Sequence, residues 1–307
     1  MWGLYILCAL GILLIVVYTA AAAVIAKTVL CPQKRDYNAV WRSERECGNM
    51  LEPDYYTLKS EELTLQSERG YRLFAHYYRA PNPKGVYLLF NHGHTYPYIS
   101  AIKYLPLFLP RGINVIIPDH VGHGLSDDGF VTFGYYEHRD SMRWVGRLEE
   151  LARADGVQHP VFGVMGESMG AATALLMASR DRRLSFCIAD CAYTSWSEII
   201  RHQVVSGYPR LLLCAVPLAE VFIRLVSGAL VKDVDALESA RSLTIPTLII
   251  HGGADKKVPT EMGRHLGAAS PNIRYMEVPG ATHANSIATD YALYKRTVDE
   301  FLTGIGL

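Results

Sequence analysis

No sign of charge predominates in this chain: 30 lysines and arginines face 30 aspartates and glutamates over 307 residues. Without a basic excess there is no electrostatic footprint for a nucleic acid. A glycine-rich loop ending in Gly-Lys, a Cys-x-x-Cys pair and a His-Glu-x-x-His helix are all missing. Neither a nucleotide nor zinc is therefore implied, and the expectation is an activity with no cofactor and no metal. The 11 histidines are scattered, and His120 with His123, close enough for a metal pair, read better as part of a structural turn. Cysteine is sparse, at 6. Cys8 lies in an apolar run, Cys187 and Cys191 on or beside a buried strand, and Cys214 in an apolar helix, so buried packing is the favoured reading for most of them. Only Cys31 and Cys47 look free to pair. Half the residues are hydrophobic, enough for one large core or two small ones.

Charge is missing altogether from Trp2 to Ala26. At about 1.5 Å per residue such a helix is roughly 37 Å long and spans a bilayer core. A cleaved signal peptide is the rival reading, with Ala20–Ala23 as small residues near a cut. No lysine or arginine precedes the run, however, and a signal peptide normally has a basic start. A leucine directly before Cys31 is wrong for a lipoprotein cleavage site. The favoured reading is a retained single-pass anchor in the cell membrane. Lys27, Lys34, Arg35, Arg42 and Arg45 follow the run, and the preference of basic loops for the inside would keep the body in the cytoplasm.

The chemistry is concentrated in Val161-Phe-Gly-Val-Met-Gly166-Glu-Ser168-Met-Gly170-Ala-Ala. An apolar run enters Gly-x-Ser-x-Gly and a small-residue helical pattern follows at once, the order that a nucleophile elbow needs. The turn strains Ser168, and side chains at Gly166 and Gly170 would clash with the neighbouring strand and helix. A serine hydroxyl needs a base. Downstream, Ile245-Pro-Thr-Leu-Ile-Ile-His-Gly-Gly-Ala-Asp255 is an apolar strand with an aspartate just past its end, and Ile273-Arg-Tyr-Met-Glu-Val-Pro-Gly-Ala-Thr-His283 is another with a histidine beyond it. Ser168, Asp255 and His283 then stand in one of the chain orders used for a catalytic triad, each at the sheet edge where catalytic groups gather. Asp255 would hold the tautomer of His283. Asp190, at the end of Phe186-Cys-Ile-Ala-Asp, is the rival acid. For the oxyanion, Val86-Tyr-Leu-Leu-Phe-Asn-His92-Gly93-His94 offers a strand bending at Gly93, so the backbone N–H groups of His94 and Met169 are the expected donors. Whether the His94 imidazole turns away or lines the pocket stays open.

These motifs, with Asp119-His-Val-Gly-His123-Gly-Leu-Ser126 and Gly280-Ala-Thr-His283-Ala, resemble the α/β-hydrolases of the serine-aminopeptidase and monoacylglycerol-lipase-like group. The resemblance covers almost everything after the first fifty residues. It is strongest to a bacterial subgroup with an N-terminal membrane segment, a Gly-Glu-Ser-Met-Gly elbow and an Ala189-Asp190-Cys191 stretch on the next strand. It implies hydrolysis, names no substrate, and pulls towards a body outside the membrane. Val121 departs from it, since the group usually carries arginine there.

The expected fold is α/β: a hairpin of Glu61–Gln66 and Tyr71–Tyr78 at the edge of a mostly parallel sheet, helices on both faces, and a helical cap. Core strands are expected at 86–90, 114–118, 161–164, 186–189, 247–250 and 274–278. The division is an anchor over 1–27, a linker over 28–54 and a hydrolase domain over 55–307, with a cap insertion at about 193–242. The cap is apolar enough to form an acyl pocket or simply to pack on the body. A chain starting near Cys47 is expected to carry the whole activity. The composite reading is a membrane-anchored serine hydrolase that cleaves a small-molecule or lipid carboxylic ester through an acyl-enzyme. Peptide, amide or thioester cleavage is the alternative, and a tethered, non-catalytic binding protein is the alternative of another class. Ser168 at the elbow disfavours dehalogenases and epoxide hydrolases, whose nucleophile there is aspartate.

Overall fold

Four of the core strands are apolar runs that end on a polar residue, which lets them be buried on both faces while presenting chemistry at one edge. In the computed structural model, which describes residues 1–307, eight strands form one sheet in the order β1-β2-β4-β3-β5-β6-β7-β8. They are β1 (Glu61–Gln66), β2 (Arg72–Tyr78), β3 (Val86–Asn91), β4 (Ile113–Asp119), β5 (Val161–Glu167), β6 (Leu184–Asp190), β7 (Thr247–Gly252) and β8 (Ile273–Val278). The hairpin β1–β2 is antiparallel and sits at the edge, β2 is antiparallel to β4, and every later pairing is parallel. Asn91, Asp119, Glu167 and Asp190 end four adjacent strands, so their side chains gather along the C-terminal edge.

Eleven helices surround the sheet: α1 (Trp2–Leu30), α2 (Tyr37–Glu46), α3 (Leu105–Phe108), α4 (Glu137–Ala154), α5 (Met169–Ala178), α6 (Trp196–Gly207), α7 (Val216–Ser227), α8 (Ala236–Arg241), α9 (Thr260–Gly267), α10 (Ser286–Thr289) and α11 (Tyr291–Gly304). The apolar residues divide as the pleat requires. Leu89 and Ile116 join the core under α4 and α5, whereas Leu88, Phe90 and Ile117 join the core under α3 and α11. Helix α5, made of small and apolar residues, is buried throughout. Val121 is buried as well, packed so closely on Gly129 that a Cβ there would come within 2.6 Å of it.

Between β6 and β7 the chain forms α6, a 3-10 turn over Arg210–Ala215, α7 and α8. Two features of this cap and the segment before the sheet differ from the sequence reading. Cys214 is exposed in the 3-10 turn, because its backbone carbonyl and not its thiol faces Tyr18 of α1. Helix α2 is packed onto the body instead of trailing from it. Val40 is fully buried, the Tyr37 hydroxyl donates to Asp119 at 3.1 Å, and Glu44 is buried. The amphipathic pattern of α2 finds its partner only in the folded body.

Candidate active site

Ser168 sits between β5 and α5 with φ 55° and ψ −115°, a conformation that side chains seldom adopt. The neighbours explain the two elbow glycines. A Cβ on Gly166 would overlap the Gly170 carbonyl, and one on Gly170 would overlap the carbonyl of Asn91 at the end of β3. The Ser168 amide donates to the Asp190 carbonyl at 2.8 Å, which fixes the turn against β6.

Three loops then bring distant residues together. The Ser168 hydroxyl lies 2.9 Å from His283 Nε2, and His283 Nδ1 lies 2.7 Å from Asp255 Oδ2. A carboxylate can only accept, so Nδ1–H donates to Asp255 and Nε2 is left to accept from the serine. The other oxygen of Asp255 accepts the amides of Lys257 and Val258, each at 2.9 Å, which locks the buried carboxylate in place. Asp190 does not reach the histidine. Its Oδ2 accepts from Tyr294 at 2.9 Å and lies 3.1 Å from the Tyr104 hydroxyl, and burial, with Glu167 adding to it, pushes it up to about 7. Cys191 contributes a thiol close to Asp255 and His283, a grouping that could ligate a cation, but both partners are already engaged in the hydrogen-bonded chain with Ser168.

Gly93, His94 and Met169 line the same cavity of about 300 Å³ as Ser168 and His283. Neither the His94 nor the Met169 amide donates to a turn or loop carbonyl. The His94 imidazole lines the cavity and packs on the Phe133 ring with centroids 4.8 Å apart. Phe133, Tyr193, Ile199 and Val258 give the cavity apolar lining, and Glu44, Lys103, Lys257 and Asn285 give it polar lining.

A match to the model of the alpha/beta hydrolase family extends over residues 86–293, from the first residue of β3 into α11. The chain belongs to the alpha/beta hydrolase family. It is 29% identical to protein YqkD of Bacillus subtilis (strain 168) over 301 residues, 97% of this chain and 96% of that one. To protein Rv2307c of Mycobacterium tuberculosis it is 26% identical over 199 residues, 62% of this chain and 60% of the other. Its fold is similar to that of the Pyrococcus furiosus esterase Pf2001, with a TM-score of 0.61 and 21% identity over 82% of this chain and 95% of that one. A hydrolase from Pseudomonas aeruginosa PA01 superposes with a TM-score of 0.55 and 20% identity, covering 79% of this chain and 98% of the other.

Two parts of this hydrolase site escaped the sequence reading. One is a buried ionic network beneath the elbow. Lys103, 2% exposed, lies 2.7 Å from Glu167 Oε2 and donates to the Ala284 carbonyl at 3.1 Å, while Tyr104 donates to the same Glu167 oxygen at 2.7 Å. Ser168, Cys191 and Ala284, which adjoin Glu167, Asp190 and His283, all have positive φ. The network therefore ties together the turns that hold the hydrolase's strained residues. Glu167 stands inside the elbow motif, but nothing near Lys103 in the sequence announces its partner.

The other is a set of neutral histidines behind the β3 turn. The His120 amide donates to His92 Nε2 at 3.0 Å and the Thr95 amide to His123 Nε2 at 2.9 Å. The remaining ring nitrogens of His92 and His123 donate to the carbonyls of Gly93 at 2.8 Å and Val121 at 3.1 Å. His120 and His123 thus serve the turn, and they help fix the loop that carries His94. Burial lowers His92, His123 and His251, brings His120 to about 3, and brings His76, His94 and His138 to about 4.

A pH dependence follows. These histidines stay neutral in the fold, whereas the unfolded chain takes up their protons near pH 6.5. Their stabilisation is complete above that value and is lost as pH falls towards the folded values, by up to about 1.4 kcal/mol per pH unit for each group. Burial raises Asp140 and Asp190 to about 7, and raises Asp119 and Glu44, which opposes the trend. The histidines outnumber the acids, so the thermal midpoint should be lower at pH 5 than at pH 7. A midpoint that is flat or rises on acidification would contradict this balance.

Proposed function

We propose that the protein is a membrane-anchored serine hydrolase that cleaves a carboxylic ester. The observation that carries the reading is the continuous hydrogen-bonded chain from Ser168 through His283 to buried Asp255. In this reading His283 takes the serine proton as Ser168 attacks the acyl carbonyl. Asp255 stabilises the imidazolium, and the amides of His94 and Met169 receive the oxyanion at the positive end of α5. His283 returns the proton to the departing alcohol. Water, activated by the same histidine, then splits the acyl-enzyme. The partly apolar cavity and the esterases among the structural neighbours support an acyl ester as substrate. Membrane attachment is supported by α1, a 29-residue helix with a mean hydropathy of 2.6 over its apolar window.

A fluorophosphonate should label the protein at Ser168 alone, and mass spectrometry of the labelled peptide reads this directly. Labelling elsewhere would remove Ser168 from the role. The tether can be separated from the chemistry, but later cuts should fail. A chain beginning at Tyr18 keeps α2 and the docked turns of α1 and should hydrolyse a short, water-soluble ester nearly as fast as the full chain. One beginning at Cys47 loses Ser43 and Glu44 from the cavity wall and Val40 from the core, and should be several-fold slower or insoluble. Equal rates from the two shortened chains would show that α2 is dispensable.

A further inference from the structure

The N-terminal helix α1 is long and apolar enough to cross a bilayer, and its C-terminal end is docked on the folded body. Its last three turns are seated on the cap: Ala22, Ala26, Val29 and Leu30 are buried, and the Tyr18 hydroxyl donates to the Cys214 carbonyl at 2.9 Å. The uncharged stretch of α1 runs on to Ala26, so the part apolar enough for lipid and the part docked on the cap overlap along residues 18–26. That overlap holds the cap at the level of the membrane surface.

The cap is built for such contact. Leu211, 80% exposed, and Leu225, 74% exposed, stand with Tyr208, Val221 and Val226 as outward-facing apolar side chains on the elements that pack against α1. Such a group is unusual on a surface bathed by water. Lys27, Arg210 and Arg224 are exposed beside it, where they can meet lipid phosphates. At the same level an apolar cleft of about 200 Å³ opens between α1 and α6, lined by Val24, Ile25, Ile200 and Val204. Gln203 lines both this cleft and the cavity that holds Ser168, so only this side chain's turn of α6 stands between them.

We infer that the cap sits in the bilayer interface and that the substrate is a bilayer-resident acyl ester, its chain entering through the α1–α6 cleft past Gln203. This deepens, and rests on, the reading of the protein as an anchored hydrolase. The tail leaves lipid for an apolar cleft, so it crosses no aqueous gap, and its ester group arrives at Ser168.

The test uses the full chain reconstituted in vesicles of phosphatidylcholine and phosphatidylglycerol. A long-chain ester dissolved in the bilayer and a short ester in water are assayed side by side. Leu211→Glu/Leu225→Glu changes only exposed side chains remote from the cavity. It should lower the rate on the bilayer ester tenfold or more and leave the rate on the water-soluble ester within about twofold. Val24→Trp, which narrows the cleft, should shift the acyl chain-length preference towards shorter chains. Unchanged bilayer rates in the double variant would overturn the docking. An unchanged chain-length profile in Val24→Trp would overturn the cleft route. If the unaltered protein cleaves the short ester but not the bilayer ester, the substrate class is overturned and the hydrolase reading stands. If it cleaves neither, the hydrolase reading itself falls.

Discussion

Ser168→Ala should lower the turnover of a short ester by about a thousandfold or more, and His283→Ala should do the same. The size of the effect comes from the chain of bonds. The serine hydroxyl is a poor nucleophile alone, and the only base within hydrogen-bond reach is His283 Nε2 at 2.9 Å. Because the groups act as a unit, the double variant should be scarcely worse than either single one. Asp255→Asn should cost less but still heavily, since an amide can offer an N–H to Nδ1 and favour the wrong tautomer. Asp190→Asn should leave the histidine pairing intact, because its carboxyl meets Tyr104 and Tyr294 instead. Steady-state kinetics on all five proteins decides this. Activity retained in Ser168→Ala, or a loss confined to Asp190→Asn, would remove the assignment.

The second large effect concerns Lys103. Removing one partner of a buried ion pair leaves an uncompensated charge, at a cost of about 3–5 kcal/mol. In Lys103→Met the Glu167 carboxylate would face Asp190 and buried Glu44 with only the Tyr104 hydroxyl donating to it. The thermal midpoint should fall by roughly 10 °C for a domain of this size. Glu167→Gln added to Lys103→Met should recover much of the loss, since no charge is then left unpaired beside the elbow. Calorimetry on the parent, single and double variants checks this. A single variant that melts with the parent would show that the pair contributes nothing net. The Ala284 carbonyl also loses its donor, so turnover should fall along with stability.

How much of this was legible beforehand depended on the distance over which each signal acts. The elbow could be read because strand, glycines, serine and small-residue helix are contiguous, and each is needed for the local backbone path. The strands from Val86 onward could be read because parallel strands buried on both faces must be apolar throughout. Asp255 and His283 could be placed because each follows such a strand directly. The sequence favoured Asp255 and kept Asp190 as the rival acid. Both end at the same sheet edge, and only the loop geometry brings Oδ2 of Asp255 to 2.7 Å from Nδ1 of His283. Lys103 and α2 were illegible for a similar reason. Glu44, Lys103 and Glu167 lie far apart in the chain, and a charged residue in a sequence carries no mark of whether its partner is buried beside it. Cys214 was misplaced because an apolar neighbourhood in sequence does not say which face of the cap turns outward.

The sequence by itself determined the positions of the core strands along the chain, the strained serine and the apolar helix at the N-terminus, since all of these follow from local pattern and steric need. The tertiary structure alone decided which carboxylate pairs with His283, how the Lys103–Glu167 pair ties the turns together, and that α2 forms a wall of the cavity. It also decided that α1 ends against the cap. Those features are contacts between segments far apart in the chain, and their energies come from excluding water and matching charge across packed surfaces, which no local pattern encodes.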